Sequence, residues 1–417
     1  MRILAGAVVA LVAVVVYLAR RVFGIVSKES WPPGADALAA ADAEAAVARF
    51  DGGPTDVGMP YAWSTVATVE PWPEGREFFP RIFEDVRAAQ SSVHVLMFGW
   101  REGEIGTAFA DLLCEKLAQG VEVRAIVDGQ GSRANSAARE LFDRLRAAGA
   151  QIAVNDLRRG SDGLGRVDHR KLYVVDGVVA WIGGAGLEDH FENGGFHDVM
   201  VRVTGDVVRQ AQALFLMSFQ GHGFELPDAL APYFPAQPEP GELPAALLQV
   251  APGGFQSATQ ALQQTIDEAT TRLDVMNPYV TDGDVLGRLL AAAERGVRVR
   301  IVVSEKSNNG QATAAFRHHY RALLAAGVEI FEYPGAVVHA KVLVADDAAL
   351  FGTVNLDAWA LYRNYEVALL VRDAATAQRF EERLFEPDIA RSARGVDNGS
   401  IGARLRSRVA ARVAYFI

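Results

Sequence analysis

The stretch "VDHRKLYVVDG", residues 167–177, has the pattern of a β-strand that ends in a tight turn. It opens with an imidazole and an ammonium two positions apart, His169 and Lys171. Side chains at positions i and i+2 of a strand lie on the same face, so these two are expected to point the same way. Asp176 and Gly177 form the kind of pair that favours a type I′ hairpin turn.

A second stretch, "VHAKVLVADD", residues 338–347, repeats this arrangement with His339 and Lys341. The surroundings repeat as well, because "QGVEVRAIV" precedes the first stretch and "RGVRVRIVV" precedes the second. Both of these segments read as the end of a helix, a glycine and a strand. A repeat this long predicts a duplicated domain rather than a solenoid.

Helix and strand patterns alternate through both copies, which predicts an α/β fold. We expect two similar domains, each a mixed β-sheet flanked by helices. The first domain is predicted over residues 61–235 and the second over residues 247–392. A Pro-rich segment in "FPAQPEPGELPA" predicts a linker over residues 236–246.

The N-terminus carries an unbroken apolar run of 17 residues, Ile3–Ala19. As a helix this run would be roughly 26 Å long, close to the thickness of the bilayer hydrocarbon. We therefore predict an N-terminal transmembrane helix within residues 1–28 and a linker over residues 29–60. A cleaved signal peptide is the alternative. Arg20, Arg21 and Lys28 follow the run, so the catalytic domains are expected on the cytoplasmic side.

The C-terminal segment, residues 393–417, is predicted to be a basic amphipathic tail. Arg404, Arg408 and Arg412 would form one stripe of a helix. Such a helix suits an anionic membrane surface, and packing against its own domain is the alternative.

The chain of 417 residues has a formal net charge of −10, which argues against sequence-independent binding to nucleic acids. Its single cysteine, Cys114, lies in a helical pattern and is interpreted as a small hydrophobic residue. No oligomeric state is predicted.

Two histidine–lysine pairs form a poor metal site, because an ammonium repels a cation. They form a good anion site. One imidazole could attack phosphorus while the other protonates the leaving oxygen. The lysines would supply the positive charge, so neither a metal nor a cofactor is expected.

Each half also offers a carboxylate that could orient an imidazole. Asp198 follows His169 by 29 residues, and Glu366 follows His339 by 27. This correspondence predicts that each histidine has a carboxylate partner. The motif aspartates, Asp176 and Asp346, are included in the candidate site, although their opposite parity on the strand favours a turn or scaffold role.

The doubled H-x-K-x4-D motif resembles that of the phospholipase D superfamily, and the similarity is greatest to bacterial cardiolipin synthases. "DHRKLYVVDGVVAWIGG" resembles the first motif with its glycine turn, and "VHAKVLVADD…FGTVNLD" resembles the second. "MNPYVTD" and "RHHYRALLAAGVEIFEY" also resemble segments of that family. One departure is Gly186, which stands where the family usually has Asn.

The resemblance implies a phosphohistidine intermediate, with His169 as the expected nucleophile and His339 as general acid and base. Lys171, Lys341 and Asn355 would hold the phosphate. It also implies phospholipid substrates, a bacterial inner-membrane location and transfer of a phosphatidyl group from phosphatidylglycerol, which yields cardiolipin and glycerol. Three alternatives remain: hydrolysis by a phospholipase D, a nuclease, or a non-catalytic membrane scaffold.

Further candidates receive structural interpretations. His318 and His319 lie on a helical pattern, His197 is expected to face away from Asp198, and His94 is expected in a core strand. The segment "GQGSR", residues 129–133, follows a strand, and contact with phosphate is a minor alternative for it.

Overall fold

The computed structural model describes residues 62–156, 166–227, 229–252, 256–397 and 407–411. The predicted N-terminal helix over Ile3–Ala19 lies outside the described residues, as do Arg404 and Arg412 of the tail. Arg408 is exposed, in a short helical stretch over residues 407–411. Within the described parts of the chain, no helix is both long enough and apolar enough to cross a bilayer.

The strands are, in chain order, β1 (Ser64–Val66), β2 (Thr68–Trp72), β3 (Ser92–Met97), β4 (Glu122–Asp128), β5 (Gln151–Asn155), β6 (Lys171–Val175), β7 (Val179–Gly183), β8 (Phe196–His197), β9 (Met200–Thr204), β10 (Leu243–Val250), β11 (Arg272–Met276), β12 (Arg298–Ser304), β13 (Glu329–Tyr333), β14 (Val337–Val338), β15 (Val342–Ala345), β16 (Ala348–Gly352), β17 (Glu366–Arg372) and β18 (Ala393–Arg394).

The helices are α1 (Gly75–Ala88), α2 (Glu104–Ala118), α3 (Arg139–Ala147), α4 (Asp189–Glu192), α5 (Val207–Gly221), α6 (Ser257–Glu268), α7 (Gly283–Glu294), α8 (Gly310–Ala325), α9 (Ala358–Tyr362), α10 (Ala374–Phe380) and α11 (Glu386–Arg391). A π-helical turn over Glu381–Phe385 joins α10 to α11, and a 3₁₀ turn spans Ala231–Tyr233.

Two mixed sheets carry the fold, and their strand orders correspond. The first sheet has the order β2-β9-β7-β6-β3-β4-β5, and the second has the order β1-β10-β17-β16-β15-β11-β12-β13-β18. In each sheet three strands are parallel, β3 to β5 and β11 to β13, while the motif hairpins are antiparallel. The prediction of a duplicated α/β fold with mixed sheets is confirmed.

The two sheets pack against each other, so the halves share a core. One cluster of buried residues takes Leu172 and Val174 from β6 together with Val342 and Val344 from β15. Two further clusters, one in each half, lie between a sheet and its own outer helices. β3 is covered on both faces, so all of its residues are buried and most of them are apolar.

The predicted domain boundaries differ from the observed sheets in two places. β1 falls in the predicted first domain but pairs with β10 of the second sheet. β10 begins at Leu243, inside the predicted linker. Pro244 is part of this strand and is paired with Thr65 of β1. Composition alone cannot reveal such pairing, because it depends on contacts between distant segments.

Candidate active site

The first motif histidine is held by a carboxylate of the other half. His169 Nδ1 lies 3.0 Å from Glu366 Oε2, and the Glu366 side chain is completely buried. Phe98 packs edge-on against the imidazole, with the ring centroids 4.8 Å apart. With Nδ1 engaged by the carboxyl group, Nε2 is the nitrogen left for chemistry.

The second motif histidine shows the mirror arrangement. His339 Nδ1 lies 2.6 Å from Asp198 Oδ2, and Asp198 is also buried. Phe191 and Phe196 flank the imidazole, each with its ring centroid 5.4 Å away. The offsets along the chain suggested a partner within each half, and that inference is wrong: both pairs cross between the halves.

Backbone contacts explain the crossing. The His169 N–H donates to the Tyr365 carbonyl at 2.9 Å, and Tyr365 precedes Glu366. In the same way the His339 N–H donates to the His197 carbonyl at 2.7 Å, and His197 precedes Asp198. Each motif therefore begins against the segment that delivers the other half's carboxylate, and one composite site results.

The two lysines complete a compact cationic centre. Lys171 Nζ donates to the His169 carbonyl at 2.6 Å and lies 4.9 Å from the Phe98 ring centroid. Lys341 Nζ donates to the His339 carbonyl and lies 2.9 Å from His339 Nδ1. Burial lowers the pKa of Lys171 to about 8 and that of Lys341 to about 7. Neither lysine has a salt bridge to a carboxylate of the described residues, so these two buried groups are well suited to an anionic ligand.

Both imidazoles are neutral at neutral pH in the free protein. Burial, followed by the charges of Lys171 and Lys341, lowers the pKa of His169 well below its usual value. Burial and the charge of Lys341 lower the pKa of His339 to about 3, against the opposing effect of Asp198. Each lysine acts on the histidine of the other half, so the four groups form one electrostatic unit.

The two carboxylates differ in charge. Burial raises the pKa of Glu366 to about 8. Burial would also raise the pKa of Asp198, but the hydrogen bond from His339 and the charge of Lys341 lower it. Asp198 Oδ1 further accepts from the Val199 N–H at 2.7 Å, whereas the corresponding Val367 N–H donates to Thr353 Oγ1 at 3.0 Å.

Glycines let the carboxylates approach the motifs. A Cβ on Gly184 would lie 2.5 Å from Asp198 Oδ1, and a Cβ on Gly183 would lie 2.2 Å from the Val199 carbonyl oxygen. In the second half Gly352 is equally close-packed, with a Cβ falling 2.3 Å from the Val367 carbonyl oxygen. The glycine after each motif hairpin is therefore a packing requirement.

Asn355 lies at the end of the second glycine turn and is 7% exposed. Its Oδ1 atom is buried and has no hydrogen-bond partner in the described chain. A phosphate oxygen would instead pair with the Nδ2 group. That expectation for Asn355 stays a prediction.

The motif aspartates lie outside the site, at the other end of their strands. Asp176 accepts hydrogen bonds of 2.8–2.9 Å from the backbone N–H groups of residues 90, 91 and 92. Asp346 does the same for residues 270, 271 and 272 at 2.8–3.0 Å. Both have positive φ, 53° and 49°. Their inclusion among the catalytic candidates is corrected to a scaffold role, because each ties its hairpin to a neighbouring strand.

Four other histidines have structural surroundings. His94 is fully buried and contacts Gln212 and Glu122. His197 Nε2 lies 2.6 Å from Asp388 Oδ2. Burial would lower the pKa of His197, but its bonds to Asp388 and Glu74 raise it to about 9. His318 and His319 contact each other on the outer part of α8.

The backbone N–H groups of residues 129–132 are all bonded within the protein. Asp128 Oδ1 accepts from the N–H groups of Gln130 and Gly131, at 2.9 and 2.8 Å. The N–H groups of Gly129 and Ser132 donate to backbone carbonyls. The segment supports the loop after β3 through Ser132, and the alternative of phosphate contact stays a prediction.

The aromatic side chains at the imidazoles were missed by the sequence analysis. Phe98 follows β3 directly, and Phe196 precedes His197 in "GFHD". The only features of the sequence that could have indicated these residues are the position of Phe98 after a strand and that of Phe196 near Asp198, and both are weak. In the described chain no group of three His, Cys, Asp or Glu side chains is arranged to hold a metal ion.

Comparison with known proteins shows the family of this chain. The family model described as "Cardiolipin synthase, PLD-like domain" matches residues 82–215 and 262–387. A cardiolipin synthase of Geobacillus thermodenitrificans is 33% identical over 70% of this chain and 60% of its own length. Cardiolipin synthase A of Pseudomonas putida is 32% identical over 75% of this chain and 66% of its own length. The chain thus spans 60–66% of the length of these two relatives.

Solved structures agree on the fold. A phosphatidylserine synthase of Haemophilus influenzae superposes with a TM-score of 0.65, at 14% identity, over 89% of this chain and 100% of that protein. A polyphosphate kinase of Porphyromonas gingivalis has a TM-score of 0.51 at 12% identity, over 75% of this chain and 49% of that protein. With a doubled motif, a composite site and a family model over more than half its length, the chain belongs to the phospholipase D-like family of cardiolipin synthases.

Proposed function

We propose that this protein is a phosphatidyltransferase of the cardiolipin synthase type. It would move a phosphatidyl group from one phosphatidylglycerol to another and release glycerol. The observation that carries the proposal is the crossed pairing of His169 with Glu366 and of His339 with Asp198 beside two buried lysines. The relatives named cardiolipin synthase support cardiolipin as the product.

In the first step, His169 Nε2 attacks the phosphorus of the bound phosphodiester. A P–N bond forms, the P–O bond to the glycerol headgroup breaks, and the electron pair leaves with that oxygen. His339, protonated on Nε2, donates its proton to the leaving alkoxide, so glycerol departs neutral. Glu366 holds the Nδ1 side of the attacking ring, since a neutral carboxyl group still accepts through its carbonyl oxygen.

In the second step, a hydroxyl of the acceptor lipid gives its proton to His339. The acceptor oxygen attacks phosphorus, and the P–N bond to His169 breaks. The product is a phosphodiester again, and both imidazoles return to their starting state. No net proton or electron is gained or lost over the cycle.

The substrate itself adjusts the proton affinity of the site. In the free protein Lys171 and Lys341 contribute to the lowered pKa of His169, after burial. A phosphodiester bound between the ammonium groups carries a compensating negative charge. Binding should therefore raise the pKa of the imidazoles and allow His339 to carry the proton that the leaving group needs.

The test uses purified full-length protein and phosphatidylglycerol in mixed micelles, with lipid products read by mass spectrometry. Wild type is expected to produce cardiolipin and free glycerol, whereas His169→Ala and His339→Ala produce neither. Phosphatidic acid as the only product would replace transfer with hydrolysis as the function. Absence of any lipid product, together with cleavage of DNA, would refute both.

We further propose that the protein acts at the bacterial inner membrane, with the catalytic domains in the cytoplasm. The apolar run Ile3–Ala19 and the lipid substrate support this location. Wild type is expected in the membrane fraction after carbonate washing, and a chain that begins at residue 29 in the soluble fraction. Equal distribution of the two would contradict anchoring by this segment.

A further inference from the structure

The first glycine turn lacks the amide that the second turn carries. Leu187 forms a β-bridge with Trp100, and Leu356 forms the equivalent bridge with Val280. These bridges align the two turns, so that Gly186 corresponds to Asn355. The site is therefore asymmetric at one position beside the lysines.

A carboxylate occupies the space that the missing side chain leaves. A Cβ on Gly186 would lie 2.9 Å from Glu188 Oε2, and a Cβ on Gly99 would lie 2.5 Å from the same atom. The Gly186 Cβ would also lie 2.6 Å from the Gly99 carbonyl oxygen. Both positions must be glycine for the Glu188 side chain to lie here, and an Asn at residue 186 would require the backbone to move.

Glu188 is paired with Arg101 and lies against Gly99, which follows Phe98 directly. Its Oε1 atom lies 3.0 Å from Arg101 Nε, and its side chain is 12% exposed. Burial lowers the pKa of Lys171, while the negative charges of Glu366, Asp198 and Glu188 oppose that decrease. The Phe98 ring lies 4.9 Å from Lys171 Nζ and packs edge-on against His169, so the Glu188 carboxylate beside Gly99 borders the proposed phosphate site.

The chemistry of this position excludes phosphate and favours hydroxyl groups. A carboxylate can only accept hydrogen bonds, and phosphodiester oxygens are acceptors with a negative charge of their own. An ammonium headgroup would require a net negative charge, but Arg101 neutralises Glu188. His190 Nε2 lies 3.9 Å from Glu188 Oε2, which is beyond hydrogen-bond distance, so a neutral alcohol with a free hydroxyl beside the phosphate suits this atom.

We propose that Glu188, oriented by Arg101, accepts hydrogen bonds from the free hydroxyls of a polyol and so determines the acceptor alcohol. The inference rests on the proposed transfer function and deepens it. It assigns a role to the residue pattern that departs from the family motif. Water and simple alcohols lack the second hydroxyl group from which Glu188 would accept a hydrogen bond.

The test measures transfer from one phospholipid donor to two competing alcohols, glycerol and n-propanol, with full-length protein in mixed micelles. Glu188→Ala is expected to lower the ratio of glycerol product to propanol product about tenfold. The loss should appear as a higher KM for glycerol with kcat unchanged. Glu188→Gln, which keeps one acceptor oxygen, should recover part of the ratio.

Glu192→Ala is the matched control, because Glu192 is an exposed carboxylate at the end of α4, the short helix that Glu188 directly precedes. It should leave the ratio unchanged. If Glu188→Ala lowers both products equally, Glu188 acts only on Lys171 or on folding, and the inference fails while the proposed function stands. If wild type transfers to neither alcohol, the inference fails, and the proposed function fails with it only if the same micelles also yield no cardiolipin.

Discussion

The two halves share a strand order and a histidine–lysine pair, yet the carboxylates they exchange differ in charge. Asp198 receives a backbone N–H from Val199, while in the other half Thr353 Oγ1 accepts the equivalent Val367 N–H. A duplicated fold therefore repeats positions, but the immediate neighbours of each position set its protonation. The asymmetry gives a pseudo-symmetric site two distinguishable imidazoles.

The largest expected effect separates the two histidines. His169→Ala and His339→Ala should each reduce transfer by at least about a thousandfold, since proton transfer and covalent catalysis are both lost. With a donor whose leaving group needs no proton, such as a p-nitrophenyl phosphodiester, His339→Ala should still form a covalent adduct. Intact-protein mass spectrometry measures the adduct, and labelling of His169→Ala instead would reverse the roles.

The second largest expected effect is a difference in activity loss between variants of the two carboxylates. Asp198→Asn should reduce kcat by about 10²–10⁴-fold, because an amide has one acceptor oxygen and Asp198 serves both Val199 and His339. Glu366→Gln should cost less than about tenfold at pH 7, because burial raises the pKa of Glu366 to about 8 and Gln resembles the protonated form.

The pH dependence checks this difference. Above pH 8 wild-type Glu366 ionises and Gln no longer resembles it, so the ratio of wild-type to Glu366→Gln rates should change with a midpoint near that pH. Rate profiles from pH 6 to 9 supply the measurement. Equal losses for the two variants at every pH would remove the proposed asymmetry.

A smaller effect concerns stability at the residues that precede the carboxylates. His197 is bonded to Asp388, whereas its counterpart Tyr365 lies beside the Arg170 guanidinium, 5.3 Å from the ring centroid. His197→Gln should lower the free energy of unfolding by about 3 kcal/mol near pH 6, since it leaves Asp388 buried without its cation.

The raised pKa of His197 determines how its contribution to stability changes with pH. Because the folded pKa of His197 is raised to about 9, its contribution is complete below the unfolded value of 6.5 and is lost as pH rises through 9. Urea unfolding at pH 6 and pH 9.5 should therefore show a smaller difference between wild type and variant at the higher pH. A constant difference would mean that His197 contributes without its charge.

The smallest effect on activity is expected at the hairpin aspartates. Asp176→Ala and Asp346→Ala should each cost about 1–3 kcal/mol of stability, because three backbone donors lose their acceptor. Activity per folded molecule should stay within about twofold of wild type, because the lost hydrogen bonds lie at the other end of the strands and do not involve the reacting groups. Thermal unfolding and kcat together provide the measurement, and a large kcat loss at full folding would return these residues to the site.

The sequence by itself determined the duplication, the α/β class and the identity of the motif residues. His169 and Lys171 could be recognised because strand parity and repeat spacing are local properties of the chain. The turn role of Asp176 followed from the same local rules, and Gly186 could be seen to depart from the pattern of its family.

Only the tertiary structure decided which groups meet. The exchange of carboxylates, the pairing of β1 with β10 and the approach of Glu188 to Gly99 join residues that are far apart in sequence. The charge of Glu366 likewise depends on burial between two packed sheets. Local patterns specify strands and turns, but partners across an interface are set by how the two halves pack, and no periodicity in the chain records that packing.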